Sequence, residues 1–296
     1  MKLYKRAAAL ILTAATLLSL APPVSAEGDR VTISSAKEFY ALVQNCTRDV
    51  WSQGVTVELT ADLDLSGSDF QPIPIFQGTF HGNGHTIRGI TYDHKGSTLG
   101  LFRTLTESAV VEGLCVEGLL EPQGSASQLG LLAGENYGAI RSCSAKGTVS
   151  GQEDVGGLVG VNGETGRIEG SSSQVQISGV TNVGGIAGQN LGTLDRCINT
   201  GALNSDPDQE IPTSVGGVAG LSRGTIQSCS NSGEIGYQHL GYNVGGIVGL
   251  QSGSVLQCSN TGQVWGRKDV GGIAGQFEPN AEVTYGDSPM DRLNDS

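Results

Sequence analysis

The amino-acid sequence predicts an all-β fold, a right-handed single-stranded parallel β-helix (solenoid) with a short N-terminal capping helix. Three observations carry this prediction. A glycine-rich phrase returns every 26 to 32 residues, each unit contains several apolar pieces of strand length, and Gly accounts for 46 of 296 residues beside many Val, Ile, Thr and Ser. A period of about 20 to 50 residues is typical of stacked repeats, and this composition favours short strands and tight turns.

The repeated phrase starts with an apolar residue followed by Gly, and it occurs seven times. Its successive starts lie 30, 26, 28, 32, 29 and 26 residues apart. The blades of a β-propeller need about 40 residues or more, so these units are too short for that alternative. The seven copies begin at Leu99, Leu129, Val155, Val183, Val215, Val244 and Val270.

Each unit holds three further signals of strand and turn. After the glycine-rich phrase come an apolar residue, a small residue and a second apolar residue, as at Ile140, Cys143 and Val149. Pieces this short bury their apolar side only by pairing with the same piece of the next unit, about 4.8 Å away. We therefore expect three parallel sheets around a core of ladders, with insertions projecting from one edge. The clearest expected column is Val155, Val183, Val215 and Val244.

The two ends of the chain differ from the repeats. Residues 1–26 combine a basic start, an apolar run and small residues before a cleavage position, which predicts a secretory signal peptide. Residues 27–55 are expected to form an N-terminal cap with a short helix from Ser34 to Val43, and residues 56–276 the β-helix. The tail, residues 277–296, contains a good helix start and is interpreted as the beginning of a truncated helical region.

Charge narrows the classes of partner. The net charge is −12, and signal cleavage would remove Lys2, Lys5 and Arg6 to leave about −15. A strongly acidic surface argues against nucleic acid and anionic lipid as partners. We expect a secreted or cell-surface monomer with no integral membrane segment after signal cleavage, and a glycan or a host or cell-surface protein as its partner.

The cysteines and asparagines of the repeats are predicted to be structural. Small thiols at one place in successive units form a packing ladder, and amides two positions later hydrogen-bond along the axis. Side chains in parallel register point the same way, which is poor disulfide geometry, so free thiols are expected. A bridge between Cys46 and Cys115 is left open. The predicted ladder residues are Cys143, Cys197, Cys229, Cys258, Asn199, Asn231 and Asn260.

Two groups of residues near the insertions are candidate functional sites. An exposed aromatic cluster is typical of sugar binding, and acidic loops can hold divalent cations or supply an acid/base pair. The candidate ligand-binding residues are Tyr237, His239, Tyr242 and Trp265. The candidate cation-binding residues are Asp154, Asp206, Asp208 and Glu210.

No complete catalytic or cofactor motif is present in the sequence. His81 and His85 lie four residues apart in a glycine-rich turn, without the Glu of a His-Glu-x-x-His zinc motif. The Gly-Gly-x-x-Gly phrases lack the Gly-Lys-Ser/Thr of a phosphate-binding loop. We therefore predict no catalytic residues, no metal site and no cofactor.

The phrase Val-Gly-Gly-[Leu/Ile/Val]-[Val/Ala]-Gly, followed by Ile-x-x-Cys-x-Asn-[Thr/Ser]-Gly, resembles the GLUG-motif repeats of bacterial surface and secreted proteins. The segment from Phe76 to Ile87 is similar to the stretch that commonly precedes them. The resemblance covers residues 31–276 and implies a β-helix on an exported protein of a bacterium, with Gram-positive species favoured. Such repeats also occur beside the protease domain of IgA-specific zinc metallopeptidases and in adhesin-like proteins.

These observations lead to one functional hypothesis and one alternative. The leading hypothesis is an exported, non-catalytic β-helix scaffold or adhesin-like binding module. The alternative is a carbohydrate-active β-helix enzyme, a lyase or a hydrolase that uses the acidic edge, or an accessory domain of a larger surface protease.

Overall fold

The structure is a computed structural model that describes residues 30–48, 50–206, 208 and 210–278. The described chain winds into about nine coils, and its paired strands run parallel to one another. The expected column is confirmed, because each of its members is the register partner of the next. From the first coil of the column to the last, it contains Leu129, Val155, Val183, Val215, Val244 and Val270.

From Ser127 onward, each complete repeat contributes strands to four sheets, which we name D, C, A and B in their order along the repeat, whereas the earlier coils contribute to A, B and C only. The sequence analysis expected three sheets. The difference lies in the glycine-rich phrase, which bends between its first two glycines and its last: Val155 and Gly156 end one strand, and Val159 and Gly160 begin the next. The phrase therefore spans a corner, with sheet D before it and sheet C after it.

Sheets A and B form two adjacent sides of the solenoid. Sheet A has nine strands, in spatial order β1 (Arg30–Ile33), β2 (Thr56–Leu59), β5 (Thr79–His81), β8 (Val110–Glu112), β12 (Ala139–Arg141), β16 (Arg167–Glu169), β20 (Thr193–Asp195), β24 (Thr225–Gln227) and β28 (Ser254–Leu256). Sheet B has eight strands, namely β3 (Leu63–Asp64), β6 (Thr86–Tyr92), β9 (Cys115–Leu120), β13 (Ser144–Ser150), β17 (Ser172–Ser178), β21 (Ile198–Asn199), β25 (Ser230–Asn231) and β29 (Ser259–Asn260).

Sheets C and D flank the glycine-rich corner. Sheet C has eight strands, namely β4 (Ile73–Phe76), β7 (Phe102–Leu105), β11 (Ala133–Asn136), β15 (Val159–Asn162), β19 (Ala187–Asn190), β23 (Ala219–Ser222), β27 (Val248–Gln251) and β31 (Ala274–Phe277). Sheet D has six strands, namely β10 (Ser127–Leu129), β14 (Glu153–Gly156), β18 (Thr181–Gly184), β22 (Thr213–Gly216), β26 (Tyr242–Gly245) and β30 (Lys268–Gly271).

The described part of the chain contains one helix, α1 (Ala36–Asn45), which precedes the first complete coil. The hydroxyl of Ser35 accepts a hydrogen bond from the backbone N–H of Glu38 at 3.4 Å, which caps the helix as the sequence predicted. Its apolar face is buried in the same core as the strands, through Phe39, Leu42 and Val43. The helix therefore covers the apolar interior at the N-terminal end.

The interior changes in character along the axis. Phe76, Phe80 and Phe102 pack together in the early coils, with ring centroids 5.4 to 6.2 Å apart. Later coils fill the same space with Val, Ile, Leu and Ala, which are almost all fully buried up to Val248. In the last described coil the apolar side chains are exposed, with Phe277 at 62%.

The second glycine of the repeated phrase is a point of close backbone approach. A Cβ placed on Gly217 would lie closer than 3.0 Å to the backbone of Gly246 in the next coil and to the side chain of Asn231 in its own. The equivalent Gly272 lies in the last described coil and would meet nothing within 4 Å. The same residue type at the same place in the repeat therefore faces two different steric environments.

We predict that Gly217→Ala lowers the free energy of unfolding by roughly 3 kcal/mol or more, because its Cβ displaces backbone that a close-packed interior cannot move cheaply. Gly272→Ala should change the stability by no more than about 0.5 kcal/mol. Urea denaturation followed by circular dichroism measures both. Equal losses for the two variants would show that stacking does not impose the requirement for glycine.

Candidate functional site

Near the starts of the later sheet B strands, the side-chain amides of successive coils form a ladder along the solenoid axis. The side chain of Asn199 donates to Asn231 Oδ1 at 2.8 Å, and Asn231 donates to Asn260 Oδ1 at 2.8 Å. Each amide also bonds with the backbone of the glycine two residues later, as Asn231 does with both the N–H and the C=O of Gly233. These contacts satisfy the polar groups of a buried corner, where an unpaired backbone group would be costly.

A second amide ladder ends the strands of sheet C, and the sequence analysis did not identify it. Asn136 donates to Asn162 at 2.8 Å, Asn162 to Asn190 at 2.9 Å, and Asn190 to the hydroxyl of Ser222 at 3.1 Å. These four side chains are fully buried. The signal was present in the sequence, because each of them follows the last glycine of the repeated phrase by two residues.

The cysteines of the repeat lie in one inward column and, like Cys46 and Cys115, are free. The backbone N–H of Cys197 donates to the sulfur of Cys229 at 3.3 Å, and Ser171 takes the equivalent place next to Cys143. Burial raises the pKa of the Cys143 thiol to about 12. The Cys143 thiol therefore remains protonated at neutral pH and acts as a small packing group.

The four aromatic and imidazole candidates share the edge between sheets B and D. Tyr237 and His239 lie in an exposed loop, while Tyr242 at the start of β26 and Trp265 in the next coil are half-buried. The guanidinium of Arg267 lies over the ring of Tyr242, 5.8 Å from its centroid. This edge therefore offers aromatic surface beside a cation.

The four acidic candidates do not form one cluster. Asp206, Asp208 and Glu210 are exposed in one loop, where Asp206 accepts a hydrogen bond from the backbone N–H of Asp208 at 2.9 Å. Asp154 lies two coils earlier in sheet D, with a left-handed backbone (φ 53°). Its carboxylate accepts a hydrogen bond from Asn182 at 2.9 Å, while burial raises its pKa. Asp154 is thus part of a corner of the coil.

A different surface gathers charged groups, namely the turn that joins sheet A to sheet B. We call it the polar corner and define it by Asn83, Gly113, Ser142 and Gly170, which stack in successive coils with φ between 50° and 62°. Cavities lie on both of its sides. At this corner, the outward-facing residues at the ends of the sheet A strands lie close to the outward-facing residues at the starts of the sheet B strands.

The first cavity, of about 340 Å³, lies on the sheet A side and is lined by His81, Asn83, Glu112, Gly113, Arg141 and Ser142. His81 Nδ1 lies 2.7 Å from Glu112 Oε1. In the next coil the Nε of Arg141 lies 3.7 Å from the carboxylate of Glu169. Register pairing places these groups in one outward column in the order Glu58, His81, Glu112, Arg141 and Glu169.

The second cavity, of about 380 Å³, lies on the sheet B side. Hydroxyls and one thiol form its first outward column, and Glu117, Lys146 and Gln174 form the second. Lys146 is exposed and has no ion pair within 4.0 Å among the described residues. The first column contains Thr86, Cys115, Ser144 and Ser172.

The polar corner was not predicted from the sequence, because the repeated pattern there is defined by the inward residues of the units. The charged residue directly after each inward residue of sheet A carries the signal, as in Val111-Glu112, Ile140-Arg141 and Ile168-Glu169. Of the corner region, only His81 and His85 were considered from the sequence, as a pair. In the structure they contact different carboxylates, Glu112 and Asp62.

These features define a class of protein: a parallel β-helix with a ladder core, an aromatic edge and a polar corner. The family model described as the GLUG motif matches residues 125–150, the unit that begins with β10 and ends with β13. This match confirms the resemblance to GLUG-motif repeats that the sequence predicted.

Two curated relatives match part of the chain. Halomucin of Haloquadratum walsbyi is 36% identical over 119 residues, which cover 34% of this chain and 1% of halomucin. A candidate Gly-rich membrane protein of Evansella cellulosilytica is 33% identical over 96 residues, which cover 30% of this chain and 11% of that protein. The matched segments thus span only a small part of the length of either relative.

Two solved structures share the fold. A candidate immunoglobulin A1 protease from Bacteroides ovatus superposes with a TM-score of 0.59 at 20% identity, covering 87% of this chain and 79% of that one. A chain described as IgA1 protease superposes with a TM-score of 0.54 at 19% identity, covering 86% of this chain and 21% of that one. At these identities the similarity shows the fold alone.

Among the described residues, no helix has the length and the apolar character needed to cross a bilayer. The expected signal peptide, residues 1–26, and most of the expected helical tail, residues 277–296, lie outside the described residues.

The buried Cys143 thiol makes the free energy of unfolding depend on pH in the alkaline range. The pKa of Cys143 rises on folding from about 9 to about 12, so the folded chain favours the protonated thiol. The stabilisation that folding gains from keeping this thiol neutral is complete below pH 9 and is lost as the pH rises toward 12. We predict that the stability of the wild type relative to Cys143→Ser declines over this range in urea titrations. Ser171 already occupies the equivalent place, so the variant should fold; a constant difference would contradict the prediction.

Proposed function

We propose that this chain is an exported scaffold of the cell surface or the secretome whose β-helix presents an adhesin-like binding surface for a glycan. The observation that carries the proposal is the combination of a rigid ladder core with aromatic side chains on an edge that tolerates insertions. A glycan or a surface protein is the kind of partner that such an edge fits.

The core supports a role as a rigid scaffold. Strands of consecutive coils pair throughout the described stack, and two amide ladders bond along the axis. Backbone that is paired on both sides and packed at crystal-like density opens rarely. Because the scaffold orders its surface residues before a ligand arrives, binding loses little conformational entropy.

The comparisons support an extracellular setting. The relatives that share sequence segments are named halomucin and a Gly-rich membrane protein, and the fold neighbours are named immunoglobulin A1 proteases. In a protease of that kind, a β-helix of this size would serve as an accessory module. From these names we infer for the present chain only that it is a surface or secreted protein.

The aromatic edge is the proposed glycan site. Tyr237 is 39% exposed, and Trp265 and Tyr242 each leave part of a ring open to solvent. Aromatic faces stack on sugar rings, while His239 and Arg267 can bond with hydroxyls. The acidic candidates support catalysis less well, because Asp154 lies two coils away from the loop of Asp206 and Asp208 and already accepts a hydrogen bond from Asn182.

We predict that Trp265→Ala and Tyr237→Ala each reduce the glycan-array signal roughly tenfold, because removal of a stacking ring costs about 1 to 2 kcal/mol. The melting temperature should remain unchanged. Tyr92→Ala, which removes an aromatic side chain at the other end of the solenoid, is the matched control and should leave binding intact.

The same protein is incubated with a polysaccharide panel, with and without calcium, and assayed for reducing ends and unsaturated products. The proposal expects no turnover. Turnover that is lost in Asp154→Asn or Asp208→Asn would establish the enzymatic alternative instead.

A further inference from the structure

We propose that the polar corner is a binding site for an acidic saccharide, an oligosaccharide whose sugar units carry carboxylates. This inference rests on the proposed function in that the ligand is a glycan, but it places the ligand on a different face of the solenoid from the aromatic edge. The two cavities beside the corner would take neighbouring sugar units.

The first cavity combines hydrogen-bond donors with an acceptor, the carboxylate of Glu112. Among the residues that the structure describes, the guanidinium of Arg141 has one ion pair within 4.0 Å, at 3.7 Å through its Nε, so its Nη groups can bind a ligand carboxylate. His81 uses Nδ1 on Glu112, which leaves Nε2 for a sugar hydroxyl. The hydroxyl of Ser142 lines the same space.

The second cavity repeats this combination with other residues. Lys146 supplies a cation, and the carboxylate of Glu117 in the preceding coil supplies an acceptor. The hydroxyls of Thr86, Ser144 and Ser172 provide donors and acceptors along the wall. Both cavities therefore offer a cation for an acidic group and a carboxylate for hydroxyls, which an acidic sugar satisfies and a simple anion or a neutral sugar does not.

The two cations lie on the same coil. Arg141 ends β12, and Lys146 lies in β13, with Ser142 of the corner between them. Their register partners in the preceding coil are Glu112 and Glu117. The chain has a net charge of −12, so a coil with a cation on each side of one corner is a local site where a negatively charged ligand group can bind.

The size and spacing of the cavities fit adjacent sugars. Volumes of about 340 and 380 Å³ lie in the lower part of the usual range for ligand sites. In two coils the nearest strand residues that line the two cavities are three positions apart, Glu112 with Cys115 and Arg141 with Ser144, which is at most about 10 Å of chain. One short oligosaccharide can therefore reach both.

The test measures the affinity of the purified chain for trigalacturonate by calorimetry, with galactotriose as the neutral counterpart of equal length. We expect trigalacturonate to bind at least tenfold more tightly than galactotriose. Arg141→Gln and Lys146→Gln should each weaken binding roughly tenfold, because each removes a charge-assisted contact. Arg167→Gln removes an equal charge from an exposed position on sheet A outside both cavities, and it should change the affinity less than twofold.

A second measurement locates the ligand. Cys115 lies in the wall of the second cavity and is half-exposed, so bound trigalacturonate should slow its alkylation by iodoacetamide, as followed by peptide mass spectrometry. As the control, Cys115 in the chain unfolded by urea should be alkylated at the same rate with and without the saccharide.

The possible failures are distinguishable. Equal binding of galactotriose, or equally tight binding of sodium sulfate, would overturn the inference. It would also fail if Trp265→Ala abolished trigalacturonate binding while Arg141→Gln and Lys146→Gln did not; the proposed function would then stand. A wild-type chain that binds no glycan at all would contradict both proposals.

Discussion

The coils of this protein close because a glycine stands wherever an amide ladder crosses the interior. The Asn side chains that bond along the axis in sheet B point across the coil at the second glycine of the repeated phrase, which leaves no room for a Cβ. Polar groups at this depth are tolerated only when they are fully paired, and stacking pairs them. The contacts are Gly185 with Asn199, Gly217 with Asn231, and Gly246 with Asn260.

This constraint determines where variation is allowed. Sheets A, B, C and D must keep register from coil to coil, so length differences collect in the loops between sheets B and D, such as 204–212 and 236–241. The second of these loops contributes Tyr237 and His239 to the aromatic edge. The polar corner, in contrast, lies on a turn that has only two residues in the coils of Glu112, Arg141 and Glu169. Its charged groups are therefore held in columns whose successive members are about 4.8 Å apart. One core therefore supports two surfaces of different character.

Much of the fold could be predicted from the sequence, because stacking repeats its demands in every unit. The 26-to-32-residue period, the Val155 to Val244 column and the capped helix with Phe39 and Leu42 inside follow from periodicity alone. The fourth sheet did not follow, because the repeated phrase keeps its apolar and glycine pattern across Gly156 to Val159, where the chain passes from sheet D to sheet C. The polar corner was not predicted because its charged residues lie outside the apolar pattern. The residue type at this position also differs from one coil to the next, as His81, Glu112 and Arg141 show.

The most direct test of this account is a double-mutant cycle between Gly217 and Asn231. If the glycine is required because the amide occupies the space beside it, Asn231→Ala should relieve part of the clash that Gly217→Ala creates. The account predicts that the double variant is more stable than the sum of the two single losses by at least about 1 kcal/mol. Strictly additive losses would contradict it, since the two residues would then act independently.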